Sequence, residues 1–203
     1  MRTPVSRRQF IGSAGLTALG AAAVPGAAVA ALTNKPAKEK TAPPAAPVAP
    51  PAVARRTLGK SGLDVSVISI GTGGGQAPNL LRYCISKGVN FIHTSTGYKG
   101  GSAIKNVGEA IKGQRDKVVL ALKITWEPSD IKALDRALAS LGVESVDLAL
   151  YNIHNRKEVT DPKYAKAAVQ LKKSGKIKSI GLTTHGDMAG CMAAALDEGF
   201  YDV

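Results

Sequence analysis

Phe91-Ile92-His93-Thr94-Ser95-Thr96-Gly97-Tyr98 is a short apolar run that ends in polar and titratable groups. Gly88 precedes it, and an amphipathic pattern over Ala103–Lys112, closed by Gly113, follows it. The stretch reads as a buried strand, Val89–Thr94, carrying His93 and Tyr98 towards its C-terminal end, with a helix leading away. Working outward, the same plan recurs in both directions. Upstream, Asn79–Lys87 is a helix pattern ended by Gly88. Before it, the β-branched run Val65–Ile70 predicts a strand buried on both faces, ending in Gly71-Thr72-Gly73-Gly74-Gly75. Arg56–Val65, with Gly59 and Gly62 around Lys60-Ser61, predicts a tight hairpin.

Downstream come a strand at Val118–Ile124, a helix at Ser129–Leu141 started by Ser129 or Asp130, and a strand at Val146–Ile153. A helix at Pro162–Ser174, a strand at Ile177–Thr183, a helix at Asp187–Glu198 and the start of another strand at Tyr201–Val203 complete the series. Apolar strands alternating with amphipathic helices, each helix closed by Gly, predict a parallel sheet covered by helices. Two folds meet that description, a doubly wound sheet and a (β/α)8 TIM-type barrel. Small residues at Ala121, Ser179 and Gly181, on the same strand face as Lys123 and Thr183, suit a tapering barrel interior and favour the barrel.

The chain has 203 residues and a formal charge of +12, and its positive charge is spread without interleaved aromatics, which make up 4 % of the residues. A nucleic-acid surface needs clustered cations, so no nucleic-acid partner is expected. Residues 1–54 differ from the rest. They hold six of the 27 Lys and Arg but one of the 15 acids. Ser6-Arg7-Arg8-Gln9-Phe10-Ile11 opens an Ala/Gly/Leu run that reaches Ala28-Val29-Ala30, a small-residue cleavage pattern. Residues 1–30 therefore resemble a bacterial twin-arginine signal peptide. This implies the twin-arginine export machinery as a partner, a periplasmic or other extracytoplasmic destination, and no stable membrane anchor. Residues 31–54, rich in Ala, Pro and Lys, read as an extended linker with too little apolar area to fold alone. Cys84 and Cys191, both inside predicted helices, read as small buried hydrophobes, with a disulfide left open.

Residues 55–203 carry a family resemblance. Arg56-Thr57-Leu58-Gly59-Lys60-Ser61-Gly62-Leu63 leading to Ile70-Gly71-Thr72-Gly73 resembles the opening of aldo-keto reductases. So do Gly88–Ile92, Gly108–Gly113 with Arg115–Val118, Leu122-Lys123, Ser140–Val143 with Val146-Asp147-Leu148, His154, and Gly175–Gly181, all in family order. The resemblance implies a (β/α)8 barrel that reduces an aldehyde or ketone with NADPH, using an Asp, a Tyr, a Lys and a His at strand ends. At matching positions the Tyr is Tyr98, the Lys is Lys123 and the His is His154. The chemistry explains the types: hydride added to a carbonyl carbon creates an alkoxide, and a nearby acid must protonate it. Tyr98 is placed as that acid, Lys123 as a positive charge beside it, and His154 as the group orienting the carbonyl oxygen.

Three departures accompany the resemblance. His93 stands where the family has its Asp, and an imidazole cannot hold the lysine as a carboxylate does. Thr183-Thr184 replaces the family's Ser-Asn pair at the nicotinamide, leaving Thr72, Thr183 and Thr184 as candidate cofactor contacts. Residues 55–203 also fall well short of the about 250 residues usual for such a barrel. The expected fold is therefore a C-terminally incomplete barrel of about five and a half βα units, in which most of the family's pyrophosphate and adenosine contacts would lie beyond Val203. Two other readings follow from the residues: a non-catalytic remnant or binding domain on the same scaffold, and a metal site built from His93, His154 and His185 at three strand ends. Glu127, Asp147 and Glu158 have no constellation around them and read as solvated or locally hydrogen-bonded acids, and Gly73-Gly74-Gly75 reads as backbone clearance at the rim.

Overall fold

The computed structural model describes residues 53–203, so the segment read as a signal peptide and all but the end of the linker lie outside the described residues. The first elements are β1 (Arg55–Leu58) and β2 (Leu63–Ser66), an antiparallel pair with Leu58 opposite Leu63. Gly59 and Gly62 take φ of 55° and 70°, so the four-residue turn needs residues without a Cβ at both positions. The hairpin expectation is met.

The expected strand Val65–Ile70 is not a single strand. Its first half belongs to β2, and β3 is only Ser69–Gly71. Between them Val67 and Ile68 are 53 % and 60 % exposed. The β-branched run is shared by two sheets, and the chain must leave one to enter the other. Burial on both faces is therefore impossible at the junction.

Five parallel strands follow: β3, β4 (Phe91–Ser95), β5 (Val119–Ile124), β6 (Val146–Ile153) and β7 (Ile177–Thr184). Their spatial order is their chain order, β3-β4-β5-β6-β7. A doubly wound sheet reverses direction at a switch point, whereas a barrel adds each strand beside the last. The order without reversal makes this a partial (β/α)8 barrel. Asp202 and Val203 continue it, donating their N–H groups to the Ile180 carbonyl at 2.7 and 3.3 Å.

The outer face is covered by α1 (Pro78–Ser86), α2 (Ser102–Ile111), α3 (Ile131–Leu141), α5 (Pro162–Lys173) and α6 (Met188–Glu198), with a one-turn helix α4 (Arg156–Val159) before α5. The helices start where the sequence predicts. Asp130 caps α3 by accepting from the Ala133 N–H, and Asp161 caps α5 ahead of Pro162. Gly142 ends α3 at φ 66°, in the left-handed region a C-cap uses. On α2, Ala103, Ile104, Val107, Ala110 and Ile111 form one buried stripe. Each large member contributes about 1.5–3 kcal/mol of burial. Gly108 lies on the same helix. A Cβ there would stand 2.6 Å from the Leu141 carbonyl oxygen, so α2 and α3 are in backbone contact.

Two apolar clusters result. The larger fills the space between sheet and helices and includes Ile92, Leu120, Leu122, Tyr151 and Ile180. The smaller lies on the sheet's inner face: Ala121, Leu148 and Leu150, with Phe91, Leu58, Leu63 and Val203 against them. Leu58 and Leu63 come from the hairpin, which thus plugs the inner face. Asn90, one residue before β4, fastens the plug. Its side chain accepts from the Ser66 N–H at 2.7 Å and donates to the Asp64 carbonyl at 2.9 Å. Both cysteines are free; Cys191 is buried, but Cys84 is half-exposed, because its position on α1 turns it partly from the core.

Candidate functional site

The inner face alternates along each strand, so its C-terminal ends present Phe91, His93 and Ser95 on β4 and Ala121 and Lys123 on β5. His93 is level with Ala121, and Ser95 with Lys123. Small side chains at Ser95 and Ala121 leave room for the two long ones. After β4 the chain turns sharply. Lys99, Gly100 and Gly101 all take positive φ, at 51°, 61° and 86°. This turn brings Tyr98 back over the strand ends, with its ring edge-on to His93 at 6.0 Å between centroids. The Lys123 Nζ lies 5.5 Å from the centre of the same ring. His93, Tyr98 and Lys123 therefore form one cluster on two adjacent strands.

The electrostatics of the cluster follow from burial. The His93 Nε2 is enclosed and has no hydrogen-bond partner. Burial, and then the charge of Lys123, hold its pKa below 6.5. The imidazole is thus neutral at neutral pH, and it brings no counter-charge to the lysine. Among the described residues Lys123 makes no ion pair. Glu127, the acid nearest to it in sequence, faces Lys163 at 4.0 Å.

His154 is placed differently from the expectation that it orients a carbonyl beside Tyr98. Just past the end of β6, its Nδ1 lies 3.1 Å from the Glu158 Oε2, and its backbone N–H donates to the same oxygen at 2.9 Å. Its Nε2 lies 3.2 Å from the Asn152 Nδ2. The side chain is 67 % exposed. The cause is local: Asn155 caps α4, which sets Glu158 one turn from His154. The interactions of His154 are thus with Asn152 and Glu158, not with the cluster.

The candidate cofactor contacts divide similarly. Thr72 is buried at 1 % exposure, with its hydroxyl 2.9 Å from the Thr94 Oγ1 and 3.1 Å from the His93 carbonyl. It ties β3 to β4 through these bonds. The Thr184 hydroxyl is engaged by Gly186, accepting its N–H at 3.2 Å and donating to its carbonyl at 2.9 Å. Thr183 stands level with Asn152 on β6 and lines an open groove of about 400 Å3. It is half-buried there, and Thr184 lines the same groove.

The three histidines do not converge: His93 is enclosed, His154 meets Glu158, and His185 is exposed. Among the described residues no group of three His, Cys, Asp or Glu is placed to hold a metal ion. The three-histidine metal reading is overturned, because the three imidazoles are not placed together.

Glu158 is hydrogen-bonded locally, to His154 and Asn155, whereas the partners of Asp147 come from other elements. Asp147, buried at the start of β6, accepts from Arg115 at 2.7 Å, Lys178 at 2.7 Å and the Leu120 N–H at 2.9 Å. Burial pushes its pKa up, but these donors more than offset it and hold the carboxyl below 3.8. It lies at the opposite end of the strands from Lys123, where a barrel keeps stability rather than chemistry.

Comparison with known proteins agrees with the fold. The model of the aldo/keto reductase family matches residues 74–202. An uncharacterized oxidoreductase, YqkF of Bacillus subtilis, is 29 % identical over 150 residues, covering 64 % of this chain and 48 % of that protein. Methylglyoxal reductase YeaE of Escherichia coli is 35 % identical over 105 residues, 51 % of this chain and 37 % of its own. This chain thus spans about half, or less, of the length of these curated relatives. An aldo/keto reductase of Klebsiella pneumoniae, solved with NADP and acetate, is 28 % identical with a TM-score of 0.56, over 67 % of this chain and 51 % of that one.

Proposed function

Because the chain belongs to the aldo/keto reductase family, we propose that the cluster of His93, Tyr98 and Lys123 reduces an aldehyde or ketone with NADPH. The observation that carries this is the Lys123 Nζ at 5.5 Å from the Tyr98 ring, at the strand ends where a barrel keeps its chemistry. The Klebsiella relative binds NADP, and the Escherichia coli relative is named for reducing methylglyoxal, a small carbonyl compound. The Thr183 side chain fits a hydrogen bond to the nicotinamide carboxamide. NADPH, when bound, supplies the hydride.

This chain's residues do the rest. The carbonyl oxygen lies towards Tyr98, whose phenol gives its proton to the oxygen as negative charge develops there. The Lys123 ammonium stabilises the phenolate left behind. His93, neutral and enclosed, keeps water from the inner side of the pair but supplies no charge. Catalysis is therefore weaker than with a carboxylate at that position. The test follows NADPH consumption with methylglyoxal and with Tyr98→Phe. General acid catalysis is worth about 10²–10⁴-fold, so the variant should lose at least about 100-fold; equal rates would end the proposal.

A second reading is a non-catalytic binding domain. It is favoured by the engagement of His154 with Glu158 and by the enclosure of the Thr72 hydroxyl. NADPH binding without turnover would establish it. In either case Arg7-Arg8 and the apolar run to Ala30 support export by the twin-arginine route into the periplasm. Residues 1–54 fused to a folded reporter should be exported, and Arg7→Lys with Arg8→Lys should retain the reporter in the cytoplasm.

A further inference from the structure

Replacing a carboxylate by an imidazole leaves an amine at the rim without a counter-ion. We infer that Lys123 is a carbonyl-trapping amine, forming an imine with small aldehydes at the same rim without any nicotinamide. Three observations carry this. Lys123 is half-buried on the inner face, and among the described residues no carboxylate pairs with it. On β4, Ser95 is level with Lys123 and carries no charge, and His93, one inward-facing position earlier, has an Nε2 without a partner and a ring that brings no counter-charge. Tyr98, an oxygen acid, has its ring 5.5 Å from the Lys123 Nζ. An amine, an adjacent proton donor and no competing ion pair are the requirements of Schiff-base chemistry.

The step balances without another reactant. The unprotonated Nζ attacks the aldehyde carbon, a C–N bond forms, and the carbonyl π pair moves to oxygen. That oxygen takes a proton from Tyr98, and the nitrogen returns one to the phenolate. The carbinolamine then loses its hydroxyl with a proton, as water, and leaves C=N between Lys123 and the substrate. Nothing is oxidised or reduced. The inference uses the carbonyl-binding rim of the proposed reductase but not hydride transfer, so the two can fail separately.

The experiment treats the purified 203-residue chain with propanal and cyanoborohydride, in the absence of NADPH, and follows alkylation of each lysine by peptide mass spectrometry. Lys112 and Lys117, exposed and next to the opposite end of β5, are internal references. With acid catalysis from Tyr98, Lys123 should be alkylated about 100-fold faster than either reference, the low end of what such assistance supplies. Tyr98→Phe should bring it down to the reference rate. His93→Asp should do the same, by pairing the amine with a carboxylate, while the far-ultraviolet circular dichroism and the reference lysines stay unchanged. Alkylation of Lys123 no faster than Lys112 in the folded chain would overturn the inference, as would an unchanged Lys123 rate in His93→Asp. Absence of NADPH turnover would bear on the reductase proposal alone.

Discussion

At the scale of a residue, His93 sets the behaviour of the site. His93→Asp should raise kcat/KM for carbonyl reduction by about 10²–10³, the rate equivalent of a few kcal/mol from a restored carboxylate–lysine contact; a fall would assign the imidazole a role of its own. The same side chain makes stability depend on pH. Its folded-state pKa lies below the 6.5 of the unfolded chain, so the unfolded state binds the proton first. Its contribution is complete above pH 6.5 and is lost as pH falls from there through the lower folded value. Urea midpoints should decline across that window, and His93→Asn should flatten the decline; parallel curves would count against it. The gathering of His93, Tyr98 and Lys123 at neighbouring strand ends was legible in the sequence, because each falls at or just past the end of an apolar run. The orientation of His154 was not. It depends on Glu158 being one helical turn away, and Glu158 has no sequence signature of its own.

At the scale of elements, the sheet's lower end and the helix layer carry most of the testable energetics. Asp147 holds β5 and β6 to Arg115 and Lys178 through three donors. Asp147→Asn should cost about 3 kcal/mol, the low end for breaking a buried pair, because Lys178 reaches solvent. Its carboxyl is held below 3.8, so this contribution is present above pH 3.8 and disappears as pH falls through the depressed folded value. A second decline in the urea midpoint, well below the His93 window and missing in Asp147→Asn, would show it. Gly108→Ala opposes two effects: Ala gains about 1 kcal/mol of helix propensity, and overpacking costs about 1–3 kcal/mol. The obstruction is a backbone oxygen at 2.6 Å, which cannot rotate away, so destabilisation should win and the thermal midpoint should fall. Alternation of apolar runs and Gly-closed helices made these elements readable in order. The break at Val67-Ile68 was not readable, since a β-branched run looks the same whether one sheet or two receive it.

At the scale of the molecule, two surfaces of the sheet are treated unequally. Beyond β7, Met188, Met192 and Leu196 of α6 are 65 %, 64 % and 67 % exposed beside the groove that Thr183 lines. An apolar stripe of this kind should bind a hydrophobic dye and drive self-association, and Met192→Glu with Leu196→Glu should reduce both; sedimentation unchanged by the pair would contradict this. The inner face, by contrast, is sealed by the β1–β2 plug. Leu58 and Leu63 rest on Leu148, Leu150 and Val203, and the Lys60 N–H donates to the Asp202 carbonyl at 2.7 Å. Segments distant in the chain thus meet in one contact, and loop closure on that scale slows folding. The plug has its full seat only once β6 and residues 201–203 have formed. During synthesis the hairpin therefore waits on strands made well after it, and its amides should be the last among β1–β7 to gain protection in pulsed hydrogen exchange.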